Sequence, residues 1–350
     1  MSLDSATSMS KDNISLNAVP EAEFSQFFLI FPQKMIREIL LRLPVKSLLK
    51  FSLILGRSSD SLDLCTCPLY DETEEIPSMD IVLVDCPLFG PVTMLRIVGS
   101  CYGLVCLVLD LNTVIILNLA TRKSREFPIS SINVFDTEYG LAYDESTDEY
   151  KVVEVGCTID GLDEIKTLVQ VYSSKSDSCR IIDGPPGFVF TGCSVFVNGA
   201  IHWKVLYPRN NPRDWFVVAH GIATDRLELV RKPKYETGID DAMLIVSGER
   251  LCVSLSYQTK IDIWILREDG NEEYCTKLVQ IPYYLDLSNN HYIKPNPLLI
   301  LGNGEVLLSY GSYIVMYEPF KTCEVHTFDE NIEFEAATYT ESFVSTEFQK

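Results

Sequence analysis

The chain has few basic residues for its length. Its 350 residues include 29 Lys and Arg against 49 Asp and Glu, which gives a formal net charge of −20 and a pI near 4.6. Proteins that bind nucleic acids neutralise phosphates with clustered Lys and Arg, so this balance argues against a nucleic-acid-binding surface and favours a cationic partner. The hydrophobic share of 47% is typical of a packed globular protein and excludes a disordered acidic chain.

Long apolar runs are also missing. The densest apolar window, residues 105–119, is interrupted by Asp110, Asn112 and Asn118, whereas a membrane-spanning helix needs about 18 uninterrupted apolar residues. The first 23 residues contain one Lys and no apolar stretch as long as that of a signal peptide. We therefore expect no membrane association and a cytosolic protein. Its 11 Cys residues lack the spacing of a disulfide framework and are expected to be buried thiols.

The sequence contains no motif of catalysis or metal binding. It has no G-x-S-x-G, no Walker loop and no H-E-x-x-H. Cys65 and Cys67 form the closest Cys pair, but no two further ligands lie at the spacing of a zinc site. The four His residues are His202, His220, His291 and His326. We expect no enzymatic activity, no metal and no cofactor.

The three Trp residues leave one alternative open. A pocket lined by Trp203, Trp215 and Trp264 would bind sugars, as aromatic residues in β-propellers often do. Trp203 and Trp264, however, each lie within a strand pattern, which favours the core for both. No pair of acids at the spacing of a glycosidase supports the sugar-binding alternative.

A short helical region precedes the rest of the chain. Residues 1–23 are polar and without periodicity, which predicts a disordered leader. Within residues 24–51, apolar residues at i, i+3, i+4 and i+7 predict an amphipathic helix, and Pro44 permits a second short helix to begin. The apolar positions of the two helices are Ile36, Ile39, Leu40, Leu43, Val45, Leu48 and Leu49.

Beyond residue 52 the pattern becomes that of short strands. Apolar runs rich in Val, Ile and Tyr alternate with Gly, Asn, Asp and Ser, and no long helix is predicted. A strand, turn and strand recur around residues 120, 174, 224, 268 and 320, at intervals of 54, 50, 44 and 52 residues. This spacing is typical of kelch-type blades, which are four-stranded sheets. The sequence predicts a mainly β, propeller-like domain of five to seven blades over residues 52–340, and a tail over 341–350.

Acidic residues occur in clusters within predicted loops. Solvation explains such clusters in most proteins, whereas loops on one face of a propeller can also form an anionic docking surface. The candidate substrate-binding acids are Asp144, Glu145, Asp148, Glu149, Asp269, Glu272 and Glu273. Residues 33–50, by contrast, carry a net charge of +4, which leaves −24 on the rest. Two regions of opposite charge predict two different partners.

Two parts of the sequence resemble the plant F-box proteins. Residues 38–50, EILLRLPVKSLLK, resemble the first half of an F-box. The later part resembles the F-box-associated domain, through GLVC at 103–106, NLATR at 118–122, GLAYD at 140–144, DEYKVV at 148–153 and NGAIHW at 198–203. Among subfamilies, the chain is most similar to the S-locus F-box proteins, notably over residues 263–266.

This resemblance implies a function without bond chemistry. An F-box binds a Skp-type adaptor, which joins a cullin and a RING subunit, and the associated domain holds a protein substrate for ubiquitination. For S-locus members that substrate is a basic S-ribonuclease in the pollen tube, and the implied compartment is the cytoplasm, with the nucleus as a second location. The adaptor-binding residues carried over by the resemblance are Pro32, Ile36, Ile39, Leu40, Leu43, Pro44, Val45, Leu48, Leu49 and Phe51.

The sequence departs from the family pattern after Phe51. The pattern continues there with a third helical segment, whereas residues 53–55 already resemble the first strand of the associated domain. We therefore interpret the F-box as truncated. Each apolar side chain left uncovered forgoes roughly 1.5–3 kcal/mol of burial, so adaptor binding is expected to be weakened or lost. The alternatives are a variant that binds substrate without delivering it and, less favoured, a sugar-binding propeller.

Overall fold

The described residues of the computed structural model form β-strands and no helix. They are residues 54–58, 61–66, 82–83, 95–109, 113–127, 135–159, 164–207, 214–266, 275–286, 291–301, 304–310, 313–318, 321–327, 333–340, 342 and 344–346. The fold is a β-propeller, which confirms the predicted mainly β architecture. The two predicted helices of residues 24–51 and the leader of residues 1–23 lie outside the described residues.

Five blades consist of four consecutive antiparallel strands each, and the first strand of each is innermost. Blade 1 contains β4 (Leu95–Cys101), β5 (Leu104–Leu109), β6 (Thr113–Asn118) and β7 (Lys123–Phe127). Blade 2 contains β8 (Phe135–Asp144), β9 (Glu149–Ile159), β10 (Ile165–Ser173) and β11 (Ser178–Asp183). Blade 3 contains β12 (Val189–Val197), β13 (Ala200–Leu206), β14 (Trp215–Gly221) and β15 (Arg226–Val230).

The remaining two blades follow the same plan. Blade 4 contains β16 (Asp241–Ser247), β17 (Arg250–Ser256), β18 (Lys260–Ile265) and β19 (Thr276–Pro282). Blade 5 contains β22 (Asn296–Ile300), β23 (Val306–Tyr310), β24 (Tyr313–Glu318) and β25 (Lys321–Thr327). A separate hairpin, β20 (Tyr284–Asp286) and β21 (His291–Ile293), lies between them in the sequence.

A further four-stranded sheet joins the two ends of the propeller chain, and we call it the closing sheet. Its strands, from the inside outward, are β26 (Glu333–Ala336), β1 (Ile54–Ser58), β2 (Ser61–Thr66) and β3 (Val82–Leu83). Ile54 pairs with Ala336, so the last of the described strands is hydrogen-bonded to the first. This pairing closes the ring and protects sheet edges that would otherwise remain open.

The recurring turns of the sequence join the third and fourth strands of the blades. Residues 120, 174 and 224 lie in such turns, whereas 268 and 320 fall outside the described residues between the corresponding strands. Arg122, Asp177 and Asp225 occupy equivalent places in these turns, with φ values of 56, 51 and 54°. Asp tolerates this left-handed conformation better than most residues, which explains why polar residues mark the repeat.

The middle strands of the blades are buried on both faces. Every residue of β5 is buried, because neighbouring blades pack against both sides of the sheet. Between blades 2 and 3, for example, Val153 and Val171 pack with Phe190 and Trp203. The outermost strands are more exposed, and Ile181 of β11 and Leu229 of β15 are 59% and 60% exposed. This difference in burial explains why the middle strands are continuous apolar runs in the sequence.

The first strands of the blades surround a central cavity of about 430 Å³. Its lining comes from β4, β12, β16 and β22, from Leu141 of β8, and from residues 337–340 after β26. All five blades and the segment after β26 line this cavity, as expected of the central channel of a closed propeller.

The segment after β26 packs on blade 1. Asn118, which is buried, donates hydrogen bonds from Nδ2 to the carbonyls of Ser342 (2.9 Å) and Val344 (2.7 Å). Gly103 has a φ of +87°, and a Cβ there would lie 1.9 Å from Ser342 Oγ. Within the predicted tail of residues 341–350, Ser342, Val344 and Thr346 are buried, because this segment covers the apolar end of blade 1.

Candidate functional site

The propeller has two ends with different connections. Because the strands of each blade alternate in direction, the turns between its first and second strands and between its third and fourth strands lie at one end, the turn face. The connections between second and third strands, and between blades, lie at the other end, the loop face. Residues 102–103, 145–148 and 198–199 are turns of the turn face, and residues 231–240 link two blades at the loop face.

The chain enters the propeller at the turn face. β1 is the second strand of the closing sheet and therefore begins, at Ile54, on the same side as the turns that precede β5 and β9. Ser100, near the turn-face end of β4, donates a hydrogen bond to the carbonyl of Thr338 (2.7 Å), which follows β26. This contact places the ends of β4 and β26 side by side. Any segment before Ile54 therefore joins the propeller at the turn face.

Two of the predicted substrate-binding acids are buried. Asp144 and Glu149 are 3% and 8% exposed, and both face Lys151, which is itself 4% exposed. The Lys151 ammonium forms an ion pair with Asp144 and lies 4.0 Å from Glu149 Oε1. The prediction that the acids of residues 144–149 all lie exposed in a loop is therefore wrong for these two. The reason is that they end β8 and begin β9, where the next blade covers them.

The other predicted acids have varied positions. Glu145 and Asp148 are exposed in the turn, as predicted. Asp148 accepts a hydrogen bond from Tyr143 and forms an ion pair with Lys175 (3.0 Å). The remaining predicted acids, Asp269, Glu272 and Glu273, lie outside the described residues, as do all ten predicted adaptor-binding residues from Pro32 to Phe51.

Ion pairs between blades use further acids of the turn face. Arg125 of blade 1 binds Asp177 of blade 2 (2.8 Å). Arg180 of blade 2 binds Asp225 of blade 3 through two hydrogen bonds, 2.8 Å from Nε and 2.7 Å from Nη2. In both cases the Arg stands three residues after the turn residue of its own blade and reaches the turn residue of the next. Repeat spacing places each Arg and Asp at equivalent positions of the blades, but it does not state which blades are neighbours, so these pairs were not predicted from the sequence.

The His and Trp residues are mostly structural. His202 and His220 are buried, and His220 Nε2 lies 3.4 Å from Asp225 Oδ1. Trp203 is fully buried and stacks on His220, and Trp215 is 5% exposed. Burial of these two indoles is unfavourable to the predicted sugar pocket. Within the described ranges, no group of three or more His, Cys, Asp or Glu side chains could share a metal ion.

Ionisation of this region is set by burial and by hydrogen bonds. Burial alone would raise the pKa of Asp144, but hydrogen bonds from Lys151 and Ser146 outweigh it and lower the pKa from 3.8 to about 2. Burial lowers the pKa of His220 below 6.5, although the Asp225 carboxylate opposes this shift. Both groups therefore resist protonation in the folded protein.

We expect stability to fall in two steps as the pH decreases. The unfolded chain takes up a proton on His220 near pH 6.5, where the folded protein does not, so stability is lost as the pH falls below that value. Asp144 contributes roughly 2–3 kcal/mol that is present above pH 4 and is lost toward pH 2. Urea unfolding measured from pH 8 to 3 checks this, and His220→Gln should remove the first step only. A stability that is constant between pH 6.5 and 5 would contradict the assignment of His220.

The described residues include no helix with the length and hydropathy of a membrane span.

Comparisons with known proteins agree with this architecture. Residues 69–329 match the family model of the F-box associated beta propeller domain. The chain is 26% identical over 330 residues to F-box/kelch-repeat protein At3g23880 of Arabidopsis thaliana, covering 82% of this chain and 87% of the relative. It is 28% identical to F-box protein CPR1 of the same plant, covering 57% of this chain and 55% of the relative. F-box protein At3g07870, also from Arabidopsis thaliana, is 27% identical, over 64% of this chain and 63% of the relative.

Proposed function

The chain belongs to the F-box associated beta propeller domain family, and from this premise we propose that it is the substrate receptor of a Skp–cullin–F-box ubiquitin ligase. The observation that carries the proposal is the order of the two parts. A segment that resembles an F-box, residues 31–51, directly precedes a propeller of the F-box-associated family. The first part would bind the Skp-type adaptor, and through it the cullin and RING subunits, and the second would hold the substrate.

In this proposal the substrate docks at the loop face. The F-box segment joins the propeller at the turn face, before Ile54, so the adaptor would occupy space at that end. The opposite end carries the linking segment 231–240, in which Glu236 and Asp240 are exposed. They form ion pairs with Lys260 (3.2 Å) and Lys294 (3.6 Å), as the turn-face acids do with Lys151, Lys175, Arg125 and Arg180, so the place of the F-box segment and not ion pairing distinguishes the two ends.

We propose further that the substrate is a basic protein. The net charge of −24 outside residues 33–50 would attract a basic partner and increase its rate of association. The similarity to S-locus F-box proteins makes a basic S-ribonuclease, and a role in pollen self-incompatibility, the specific form of this proposal. The cytoplasm, with the nucleus as a second compartment, is the proposed location.

A second candidate function is binding without delivery. Only Ser52 and Leu53 separate Phe51 from β1, which supports the interpretation that the third helical segment of the F-box is missing. A receptor of this kind would capture its substrate and withhold it from ubiquitination. Inserting the missing helical segment after Phe51 should then produce ubiquitination of the bound protein, and a lack of rescue would tell against this candidate.

Affinity purification from plant cells tests the receptor proposal. We expect the tagged full-length chain to recover a Skp-type adaptor together with at least one basic protein, identified by mass spectrometry. Reversing two loop-face charges, with Glu236→Lys and Asp240→Lys, should reduce recovery of the basic protein by about tenfold, which corresponds to about 1.4 kcal/mol. Recovery of the adaptor should not change, because these residues lie at the end opposite Ile54.

The matched control makes the same change of charge at the turn face. Glu145→Lys and Asp148→Lys replace two exposed acids of the original sequence prediction. If substrate binds at the loop face, this control should leave recovery of the basic protein within about twofold of the wild-type value, because the changed residues do not contact the substrate. The two variants change the net charge equally, so any difference between them is not due to long-range attraction. A larger loss in the control than in the loop-face variant would contradict docking at the loop face and favour the turn-face acids.

A further inference from the structure

Lys232 lies in a box of aromatic rings at the loop face. It follows β15 in the linking segment 231–240, and its ammonium nitrogen lies 4.7 Å from the ring centroid of Phe216, 4.9 Å from that of Trp215 and 5.8 Å from that of Tyr235. All three rings are within the distance of about 6 Å at which the negative face of an aromatic ring attracts a cation.

The box also supplies hydrogen-bond acceptors. The Lys232 ammonium donates to the carbonyl of Trp215 (2.6 Å), and it lies 3.4 Å from both Asp214 Oδ1 and the Tyr235 hydroxyl. An ammonium has three N–H donors and no acceptor, so these three oxygens match its hydrogen-bonding capacity. Three rings, a carboxylate and a carbonyl are the chemistry with which proteins recognise an alkylammonium group.

The rings of the box are held by their own neighbours. Trp215 stacks on Tyr235, with centroids 5.9 Å apart and planes at 18°, and Phe188 packs edge-on against Phe216 at 5.7 Å. Trp215 begins a buried strand and is only 5% exposed. The site is therefore formed by packing within blade 3 and its linking segment. The Trp215–Tyr235 and Phe188–Phe216 ring contacts do not involve the lysine.

Lys260 and Lys204 have simpler surroundings. Lys260 lies over one ring, that of Tyr257, at 4.9 Å, and its ion pairs are with Glu236 (3.2 Å) and Asp262 (3.6 Å). Lys204 binds Asp241 at 2.8 Å. Lys232 differs from both because three rings surround its ammonium and its closest oxygen belongs to a carbonyl. Its side chain is 20% exposed, so solvent reaches the occupied box.

We propose that the box of Trp215, Phe216 and Tyr235 is a lysine-recognition site, which Lys232 fills until a lysine of the protein substrate displaces it. The inference rests on the proposed substrate-receptor function and names one contact of that substrate. The occupant is a lysine because the group now in the box is an alkylammonium. A basic partner also complements the negative charge of the propeller.

Displacement exchanges one ammonium for another and keeps every contact of the box. Lys232 would rotate into solvent, where its side chain is hydrated, while Pro233, which is buried, keeps the linking segment in place. The apparent affinity for a partner lysine is the intrinsic affinity multiplied by the fraction of time that the box is free of Lys232. Selectivity follows, because a lysine supported by other contacts can compete, whereas a free amine cannot.

Emptying the box tests the inference. We expect Lys232→Ala to bind tetramethylammonium chloride and Nα-acetyl-lysine amide saturably, at least tenfold more tightly than the wild-type chain. Quenching of tryptophan fluorescence measures the binding, with sodium chloride at equal ionic strength as the reference. Lys260→Ala is the matched control, since it removes a lysine from a single ring and should bind no better than the wild type.

The outcome does not depend on the ligase proposal, because the assay contains neither adaptor nor substrate. Equal binding by Lys232→Ala and the wild type would overturn the lysine-recognition site and leave the receptor proposal unaffected. Thermal unfolding verifies that each variant is folded, and Lys232→Gln, which keeps a hydrogen-bond donor, serves as the second variant. If both variants fail to fold, Lys232 is a fixed part of the structure that no ligand can displace, and the inference is overturned.

Discussion

Replacing Lys151 with Met is expected to lower the free energy of unfolding by about 3–5 kcal/mol, because it removes the ammonium that pairs with two buried carboxylates. The side chains of Asp144 and Glu149 are 2% and 9% exposed, so water cannot replace the ammonium. Lys151 also lies 3.5 Å from the carbonyl of Ile222 in blade 3, and its loss would weaken the contact between blades 2 and 3. Urea denaturation at pH 7 measures the change.

Two further variants separate the buried charge from other effects. Lys175→Met breaks the ion pair with Asp148. The side chains of Lys175 and Asp148 are 39% and 49% exposed, so this change should lower the free energy of unfolding by no more than about 1 kcal/mol. Adding Asp144→Asn to Lys151→Met removes one of the stranded charges and should recover part of the loss. Equal effects of Lys151→Met and Lys175→Met would mean that the Lys151 cluster is solvated and that its burial is not important for stability.

Exchanging Leu43 and Leu48 for Glu is expected to abolish adaptor binding. The resemblance to the F-box assigns both side chains to the apolar surface that meets the Skp-type adaptor, and both lie on predicted helical faces. Each leucine contributes roughly 1.5–3 kcal/mol when buried, so the pair accounts for at least a hundredfold in affinity. The added carboxylates would increase this loss, because they would have to leave water in the complex.

The control for this variant lies on the polar positions of the first predicted helix, which contains Leu43. Lys34→Gln and Arg37→Gln alter charge between the apolar residues, and we expect them to change adaptor affinity by less than about tenfold, since exposed charges contribute little. The melting temperature of the propeller should not differ among the variants. Equal losses in the charge and leucine variants would mean that adaptor binding is electrostatic and does not use the predicted apolar face.

The sequence predicted the architecture because the strand pattern repeats. Turns such as the one at Asp225 recur about every 50 residues, and an apolar run before each marks a buried third strand. The pairing of β26 with β1 could not be predicted in this way, because it joins the two ends of the propeller chain and depends on closure of the ring. The family resemblance was the stronger guide, and the match over residues 69–329 confirmed its F-box-associated part.

Contacts between blades were the part that pattern alone could not supply. The pairs Arg125–Asp177 and Arg180–Asp225 depend on which blades are neighbours, which a strand pattern does not state. The burial of Asp144 and Glu149 was missed because a cluster of acids is usually solvated. One signal was available, since Lys151 stands two residues after Glu149 and side chains at i and i+2 share a face of a strand.

The box around Lys232 was missed for a similar reason. The sequence analysis considered Trp215 as part of a sugar pocket and did not connect it with Tyr235 or with a lysine of the next linking segment. Only the packing of blade 3 brings these residues together.

The proposed function requires the chain to join a substrate to a Skp-type adaptor, and a titration of the purified chain with the purified adaptor is the decisive experiment. Isothermal calorimetry of the full-length chain with the adaptor should give a dissociation constant in the micromolar range or below, with one chain per adaptor, and no heat of binding for the Leu43→Glu, Leu48→Glu variant. Absence of binding by the folded wild-type chain at micromolar concentrations would contradict the ligase function.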